Sequence, residues 1–212
     1  MSVRRTALAA TLGLVAGVAV AHVATDGFEA YTLESARRLQ ALRAPVAVPD
    51  VEIDFIDGGR ARFSAMRERV LLVDFIYTNC PTVCTVLGSV DARLQRGLAP
   101  EIAAGEVRLV TITIDPARDT PGNLKTYRAR HTADAGGWDL GRIERADELR
   151  SVLDAFGVVV IPDGAGGFVH NAAMHVVGPD RKLVAIANLD DIAGIVNTVR
   201  DVARKSGHVE AR

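Results

Sequence analysis

Apolar residues follow two different spacings along the chain, and these spacings predict an alternation of strands and helices. Short β-rich runs predict strands over residues 51–55, 70–77, 107–114, 158–161, 172–177 and 183–187. Helical spacing predicts helices over residues 84–98, 120–131, 146–156 and 190–205. Thr120 is the expected N-cap of the second helix, with Pro121 in its first turn, and Gly157 is expected to end the third.

This order of elements predicts an α/β protein with a thioredoxin-like fold, in which helices flank a central mixed sheet. We expect the folded domain to cover residues 45–205, because Pro45 and Pro49 end any preceding helix. Residues 25–44 are predicted to be a charged, loosely helical linker, and residues 206–212 a tail.

The N-terminal segment has the pattern of a membrane anchor or a secretory signal. Arg4 and Arg5 precede an apolar run over residues 6–24 that contains no acidic residue. Its length is close to the ~20 residues that span a bilayer as a helix, which favours a retained membrane anchor. Ala19-Val20-Ala21 also offers a small-x-small cleavage site, so a secretory signal stays open. Because positive charge stays on the cytoplasmic side, we expect the remainder to be exported, on the periplasmic side of the inner membrane.

The amino-acid composition of the chain argues against several classes of function. Among 212 residues, 25 Lys and Arg balance 26 Asp and Glu, so the chain has no electrostatic footprint for nucleic acid. Only two cysteines occur, too few for a disulfide scaffold or a four-thiolate zinc site. They are Cys80 and Cys84, and their pairing is the most informative feature of the sequence.

The two cysteines lie where a predicted central strand ends and a helix begins. Positions i and i+4 share one helix face, so the two sulfurs can converge. Amide N–H groups at a helix N-terminus favour thiolate, and we expect them to lower the thiol pKa values. Thiolates are soft ligands that select Cu(I). The same pair could instead form a disulfide, carry thiol exchange, or be inert and buried.

A histidine is the expected further ligand, since two thiolates leave a copper ion under-coordinated. His22 belongs to the leader and His208 to the tail, and His131 is expected to interact with a helix dipole. His170 and His175 are expected on one strand with their side chains on opposite faces. Spacing alone does not choose between them.

Three segments in order resemble the Sco/SenC family. They are DFIYTNCPTVC at residues 74–84, IDPARDTP at residues 114–121 and HNAAMHVVGPD at residues 170–180. That family consists of membrane-anchored, thioredoxin-fold copper proteins that assist assembly of the binuclear copper centre of cytochrome c oxidase. The resemblance covers about residues 45–205.

The resemblance implies that Cys80, Cys84 and His170 bind copper, as Cu(I), Cu(II) or both, and that Cys80 and Cys84 form a redox-active disulfide. It gives His175 a packing position or one beside the ligands, because the family usually has an aromatic residue there. Asp115 and Arg118 are expected to order the loop beside the site or to form an ion pair without a copper role.

The chain departs from the family pattern at two positions. Val169 precedes the histidine where an acidic residue is common, and Thr85 follows the second cysteine where proline is common. Loss of the acid is expected to weaken the orientation of the imidazole and hence to alter copper binding.

The leading interpretation is a metallochaperone that delivers copper to the copper-accepting subunit of the oxidase. The alternative is a thiol-disulfide oxidoreductase that keeps that subunit's cysteines reduced, and His170 separates the two. A thioredoxin-like reductant or a copper donor would be a further partner. A peroxidase-like thiol enzyme is disfavoured, because Tyr77 stands where a Thr-x-x-Cys arrangement requires threonine.

Overall fold

The computed structural model describes residues 3–80, 83–132, 134 and 136–210. The chain forms two compact units, Met1–Arg43 and Ala44–Arg212. In the first unit, helix α1 covers Val3–Ala24 and helix α2 covers Leu33–Arg43. Within α1, the segment Thr6–Ala24 is long and apolar enough to cross a membrane, with a mean hydropathy of 2.0. This helix fits a membrane anchor or a signal segment.

The second unit carries ten strands and five helices among the described residues. Its strands are β1 Val46–Ala47, β2 Glu52–Phe55, β3 Arg60–Arg62, β4 Val70–Ile76, β5 Val107–Thr113, β6 Trp138–Arg142, β7 Val160–Pro162, β8 Phe168–His170, β9 Met174–Val177 and β10 Lys182–Ala187. Its helices are α3 Val83–Gly97, α4 Ala99–Ala103, α5 Pro121–His131, α6 Ala146–Phe156 and α7 Ile192–Glu210.

Eight strands form one mixed sheet in the order β1-β10-β9-β4-β5-β6-β2-β3. Strands β4, β5 and β6 are parallel, and β9 pairs antiparallel with the other edge of β4. Every residue of β4 is buried, as expected of a strand that is covered on both faces. The remaining strands, β7 and β8, form a separate two-stranded hairpin.

The central strand β4 sends alternate side chains to opposite faces of the sheet. Phe75 lies on the face of α6, where its ring meets Phe156 at a centroid distance of 5.2 Å. Asp74 lies on the opposite face, within hydrogen-bonding reach of Asp91 of α3. Helices therefore cover both faces, which confirms the predicted thioredoxin-like fold.

Most predicted elements are present. Thr120 caps α5 by accepting the N–H of Asn123 at 3.2 Å, and Gly157 ends α6 with a φ of 65°. The short strands β1, β3, β6 and β8 and helix α4 are additions that the hydrophobic pattern does not predict. The strand predicted over residues 158–161 begins at Val160 and belongs to the hairpin.

The expectation that His170 and His175 share one strand is wrong. His170 ends β8 of the hairpin, whereas His175 lies in β9 of the main sheet. Residues 171–173 form no strand, so the alternation argument does not relate these two side chains.

Candidate metal centre

The two cysteines lie between β4 and α3, as the sequence predicts. Cys84 is the second residue of α3 and is 1% exposed, whereas Cys80 precedes the helix and is partly exposed. The N–H of Cys84 donates to the Sγ of Cys80 at 3.4 Å. The helix N-terminus thus directs a donor at the Cys80 sulfur. Pro81 and Thr82, which complete the motif, lie outside the described residues.

The hairpin brings His170 to the buried cysteine. The imidazole Nε2 lies 4.0 Å from the Sγ of Cys84, and Nδ1 faces the carbonyl oxygen of Asn171 at 3.3 Å. Because that carbonyl can only accept, the hydrogen bond places the proton on Nδ1 and leaves the Nε2 lone pair directed at the sulfur. Burial lowers the pKa of His170, and the Asn171 carbonyl partly opposes the shift. The imidazole is therefore neutral at neutral pH, as a metal ligand must be.

Asp119 fixes the main chain that leads to Cys80. Its carboxylate accepts the N–H of Thr78 at 3.0 Å and the hydroxyl of Thr78 at 2.5 Å, and also the hydroxyl of Thr113. Asp119 is 1% exposed, so these hydrogen bonds compensate for the burial of its charge. This carboxylate therefore links the segment before Cys80 to the end of β5.

Arg118 contacts the hairpin that carries His170. Its guanidinium donates to Asp115 and to the carbonyl of Gly166, and lies 5.3 Å from the ring centroid of Phe168. Gly166 belongs to the turn of the hairpin, the glycine loop before His170. Asp115 and Arg118 therefore form an ion pair that also contacts the loop beside the site, so both of the expected arrangements are present.

The expectation of a lowered thiol pKa is wrong for Cys84. Burial raises the pKa of the Cys84 thiol well above its ordinary value, because desolvation disfavours the thiolate. The peptide of Tyr77 opposes this shift only in part. Cys84 is therefore a buried, protonated thiol at neutral pH.

The donor set fits a soft metal ion. Bonds of about 2.0–2.3 Å to nitrogen and sulfur are usual in metal sites, so one ion can bridge the 4.0 Å between Nε2 and Cys84 Sγ. Two thiols and an imidazole suit copper rather than a hard cation. Among the described residues, no three Cys, His, Asp or Glu side chains already form a metal-binding group. The structure brings Cys84 and His170 together, and the Cys80 thiol lies beside that of Cys84.

Known proteins resemble this chain over most of its length. The SCO1/SenC family model matches residues 52–204. A SCO1 protein homolog of Bacillus subtilis is 31% identical over 147 residues, which are 68% of this chain and 72% of the relative. The chain belongs to the SCO1/SenC family.

Solved Sco structures share the fold. The structure of BsSco, described as a member of the Sco family of cytochrome c oxidase assembly proteins with a disulfide switch, covers 76% of this chain and 95% of its own, with a TM-score of 0.66 and 25% identity. Bradyrhizobium japonicum ScoI with copper bound covers 72% of this chain and 99% of its own, with a TM-score of 0.60 and 21% identity.

In this Sco protein, His175 lies away from the thiols. It pairs with Val73 in the sheet, and so its side chain faces α6 rather than α3, which carries Cys84. Its Nδ1 donates to the carbonyl of Val73 at 3.0 Å, and its ring packs on Phe75 and Phe156. His175 therefore occupies a packing position.

His131 is the last residue of α5, at the helix end where the sequence places it. The imidazole packs on Tyr127, with a centroid distance of 5.0 Å, and against Gly88 of α3, where a Cβ would lie 2.3 Å from the ring. Burial, followed by the charge of Arg130, lowers the pKa of His131.

The sequence does not indicate a role at the site for two residues that have contacts there. Asp119 stands within the quoted IDPARDTP segment, and its position next to a capped helix was the available signal. Tyr77 stands where a Thr-x-x-Cys arrangement has threonine, and nothing in the sequence indicates that its hydroxyl meets the hairpin that carries His170.

Proposed function

We propose that this Sco protein is a metallochaperone that holds copper with Cys80, Cys84 and His170. The copper ion is the cargo, bound as Cu(I), Cu(II) or both by the domain over residues 45–205. The observation that carries the proposal is the 4.0 Å approach of the neutral His170 imidazole to the Cys84 thiol. The copper-bound ScoI structure and the family of oxidase assembly proteins support it.

The proposed recipient is the copper-accepting subunit of cytochrome c oxidase. The apolar helix over Thr6–Ala24 would hold the domain on the periplasmic side of the inner membrane, where it can meet that subunit. Cys80 is the more exposed of the two thiols, so an incoming protein ligand would meet it first. Delivery requires both thiols reduced, because a disulfide has no thiolate to donate.

A second candidate is a thiol-disulfide oxidoreductase. Cys80 and Cys84 would lose two electrons and two protons to form a disulfide, and a disulfide of the oxidase subunit would become two thiols. The hydrogen bond from Cys84 N–H to Cys80 Sγ favours this chemistry, since it stabilises a thiolate on Cys80. His170 would then have no essential role, and a thioredoxin-like reductant would regenerate the dithiol.

The testing experiment is an anaerobic Cu(I) titration of the reduced full-length chain in detergent. Cys80→Ser, Cys84→Ser and His170→Ala are compared with His131→Gln, which changes a histidine away from the thiols. We expect one tightly bound copper per chain, weaker binding in the three ligand variants and unchanged binding in His131→Gln. A wild type that binds no copper tightly but reduces a disulfide substrate, with or without His170, would support the oxidoreductase instead.

A further inference from the structure

The hydroxyl of Tyr77 is bonded to both main-chain groups of a single residue in the hairpin. It donates to the carbonyl of Phe168 at 2.9 Å and receives the N–H of Phe168 at 3.3 Å. Tyr77 is 2% exposed, so water does not compete for these bonds. The hydroxyl thus bonds Phe168 of β8 as the main chain of a neighbouring strand would.

This contact reaches the histidine through the strand itself. Phe168 and His170 are alternate residues of β8, so their side chains share one face. The ring of Tyr77 meets Phe168 at 5.5 Å and His170 at 6.3 Å, both edge-on. Tyr77 is therefore packed against the imidazole and bonded to the backbone that carries it.

The same residue is tied to the dithiol segment. The N–H of Cys80 donates to the carbonyl of Tyr77 at 3.3 Å, in the turn that follows β4. The Tyr77 hydroxyl also lies within hydrogen-bonding reach of the Cys80 thiol. Tyr77 thus contacts one proposed ligand directly and the strand that carries another.

The hairpin approaches this hydroxyl at a glycine. A Cβ on Gly167 would lie 3.2 Å from the Tyr77 oxygen, so the turn passes close to the phenol. On the other face of the hairpin, the cross-strand pair Ile161 and Val169 is 57% and 62% exposed. The hairpin therefore depends on the Tyr77 face, together with Arg118, for its position.

We propose that Tyr77 is a positioning residue for the metal site, whose hydroxyl holds the His170 imidazole against Cys84 by bonding the backbone of Phe168. This role rests on the proposed copper function and deepens it. Tyr77 contacts neither the metal nor the recipient in this account. It acts through the placement of His170.

The test is a double-mutant cycle with Cu(I), measured by competition with a chromophoric chelator on the reduced full-length chain. Tyr77→Phe removes one oxygen atom and keeps the ring. Because two hydrogen bonds that place the imidazole are lost, we expect copper affinity to fall about tenfold or more. In the His170→Ala background the same change should cost much less affinity, because the placed imidazole is already gone and only the contact of the Tyr77 hydroxyl with the Cys80 thiol is lost.

Tyr127→Phe is the matched control. The Tyr127 hydroxyl donates to the carbonyl of Cys84 at 2.5 Å, so this variant removes an equally buried oxygen on the other side of the site. Any loss of affinity that it causes should be the same with and without His170. Equal losses for Tyr77→Phe in both backgrounds would show a merely structural role and overturn the proposal.

A copper-free readout separates this inference from the proposed function. In the apo protein, amide exchange of Phe168, followed by NMR, should accelerate in Tyr77→Phe and stay unchanged in Tyr127→Phe. If the wild type binds no copper, the chaperone proposal fails, whatever the exchange shows. If the wild type binds copper but exchange at Phe168 is unchanged, or Tyr77→Phe does not fold, the positioning role is overturned.

Discussion

The Nε2 of His170 lies 4.0 Å from the Sγ of Cys84, although 86 positions separate the two residues along the chain. The two side chains lie in different secondary-structure elements. Cys84 is fixed by the first turn of α3, and His170 by a hairpin outside the main sheet. The meeting of these two residues depends on the loops that join both elements to the sheet.

Loss of the Asp119 carboxylate should loosen the segment before Cys80. In Asp119→Asn, an amide N–H₂ group replaces one of the two carboxylate oxygens that accept hydrogen bonds from Thr78 and Thr113. We expect a loss of about 2–3 kcal/mol in the free energy of unfolding, as is usual for hydrogen bonds to a charged group. Alkylation of Cys80, followed by peptide mass mapping, should become faster.

Asp50→Asn is the matched control for that change. Asp50 accepts the N–H and the hydroxyl of Ser64, at 3.0 and 2.9 Å, in a part of the domain that carries no thiol. Urea unfolding should show a loss of stability, with the alkylation rate of Cys80 unchanged. Faster alkylation in both variants would mean that Asp119 acts through global stability alone.

The buried carboxyl pair of Asp74 and Asp91 should make stability depend on pH. Burial raises the pKa of Asp74 from 3.8 to about 7, opposed by the hydroxyl of Thr111, and burial also raises that of Asp91. The folded chain therefore holds protons that the unfolded chain releases near pH 4. The stability from these protons is complete below the unfolded pKa and is lost as the pH rises through the folded pKa.

Asp74→Asn removes one titrating group and can still accept from Thr111 and donate to Asp91. Its free energy of unfolding relative to wild type should therefore increase between pH 4 and 7, by at most about 1.4 kcal/mol per pH unit. Urea unfolding at several pH values measures the difference. A difference that does not change with pH would contradict the shared burial of the two acids.

His175 should affect stability and not copper binding. Removal of the buried ring in His175→Ala leaves a cavity beside Phe75 and Phe156, so we expect a loss of about 2–4 kcal/mol. His175→Phe keeps a ring in the site and cannot coordinate a metal. This second variant should bind copper with the wild-type stoichiometry and affinity. Weaker binding by folded His175→Phe would make His175 a ligand.

Much of the fold follows from local pattern, whereas the missing parts depend on distant partners. The long apolar run of β4 and the capped helix after Thr120 are visible in the sequence. Strand β6 is not, because Asp139, Gly141 and Arg142 interrupt its apolar pattern. Gly141 is needed there by the neighbouring strand, since a Cβ would lie 2.4 Å from Ile53.

Part of the site, like part of the fold, can be predicted from the sequence. Motif resemblance selects Cys80, Cys84 and His170, and the structure brings two of these side chains within 4.0 Å. The direction of the Cys84 pKa shift could not be predicted, because the sequence shows the helix N-terminus and not the burial that outweighs it. The roles of Asp119 and Tyr77 depend on contacts across distant segments, which spacing does not indicate.

The family departure at Val169 should have little effect. Val169 is 62% exposed, and its side chain lies on the hairpin face opposite that of His170. An acid at this position is screened by solvent and cannot reach the imidazole, whose Nδ1 already bonds the Asn171 carbonyl. Val169→Asp should therefore keep its Cu(I) affinity within about threefold of wild type. A larger gain would show that the missing acid orients the imidazole.

Copper transfer tests the central claim most directly. The reduced, Cu(I)-loaded chain is mixed anaerobically with the reduced, copper-free soluble domain of the oxidase subunit, and copper on each protein is measured after separation. We expect copper to move to the subunit from wild type, and His170→Ala to carry little copper to deliver. If copper stays on the chain, while copper-free wild type and His170→Ala reduce an oxidised subunit equally well, the chaperone account is contradicted.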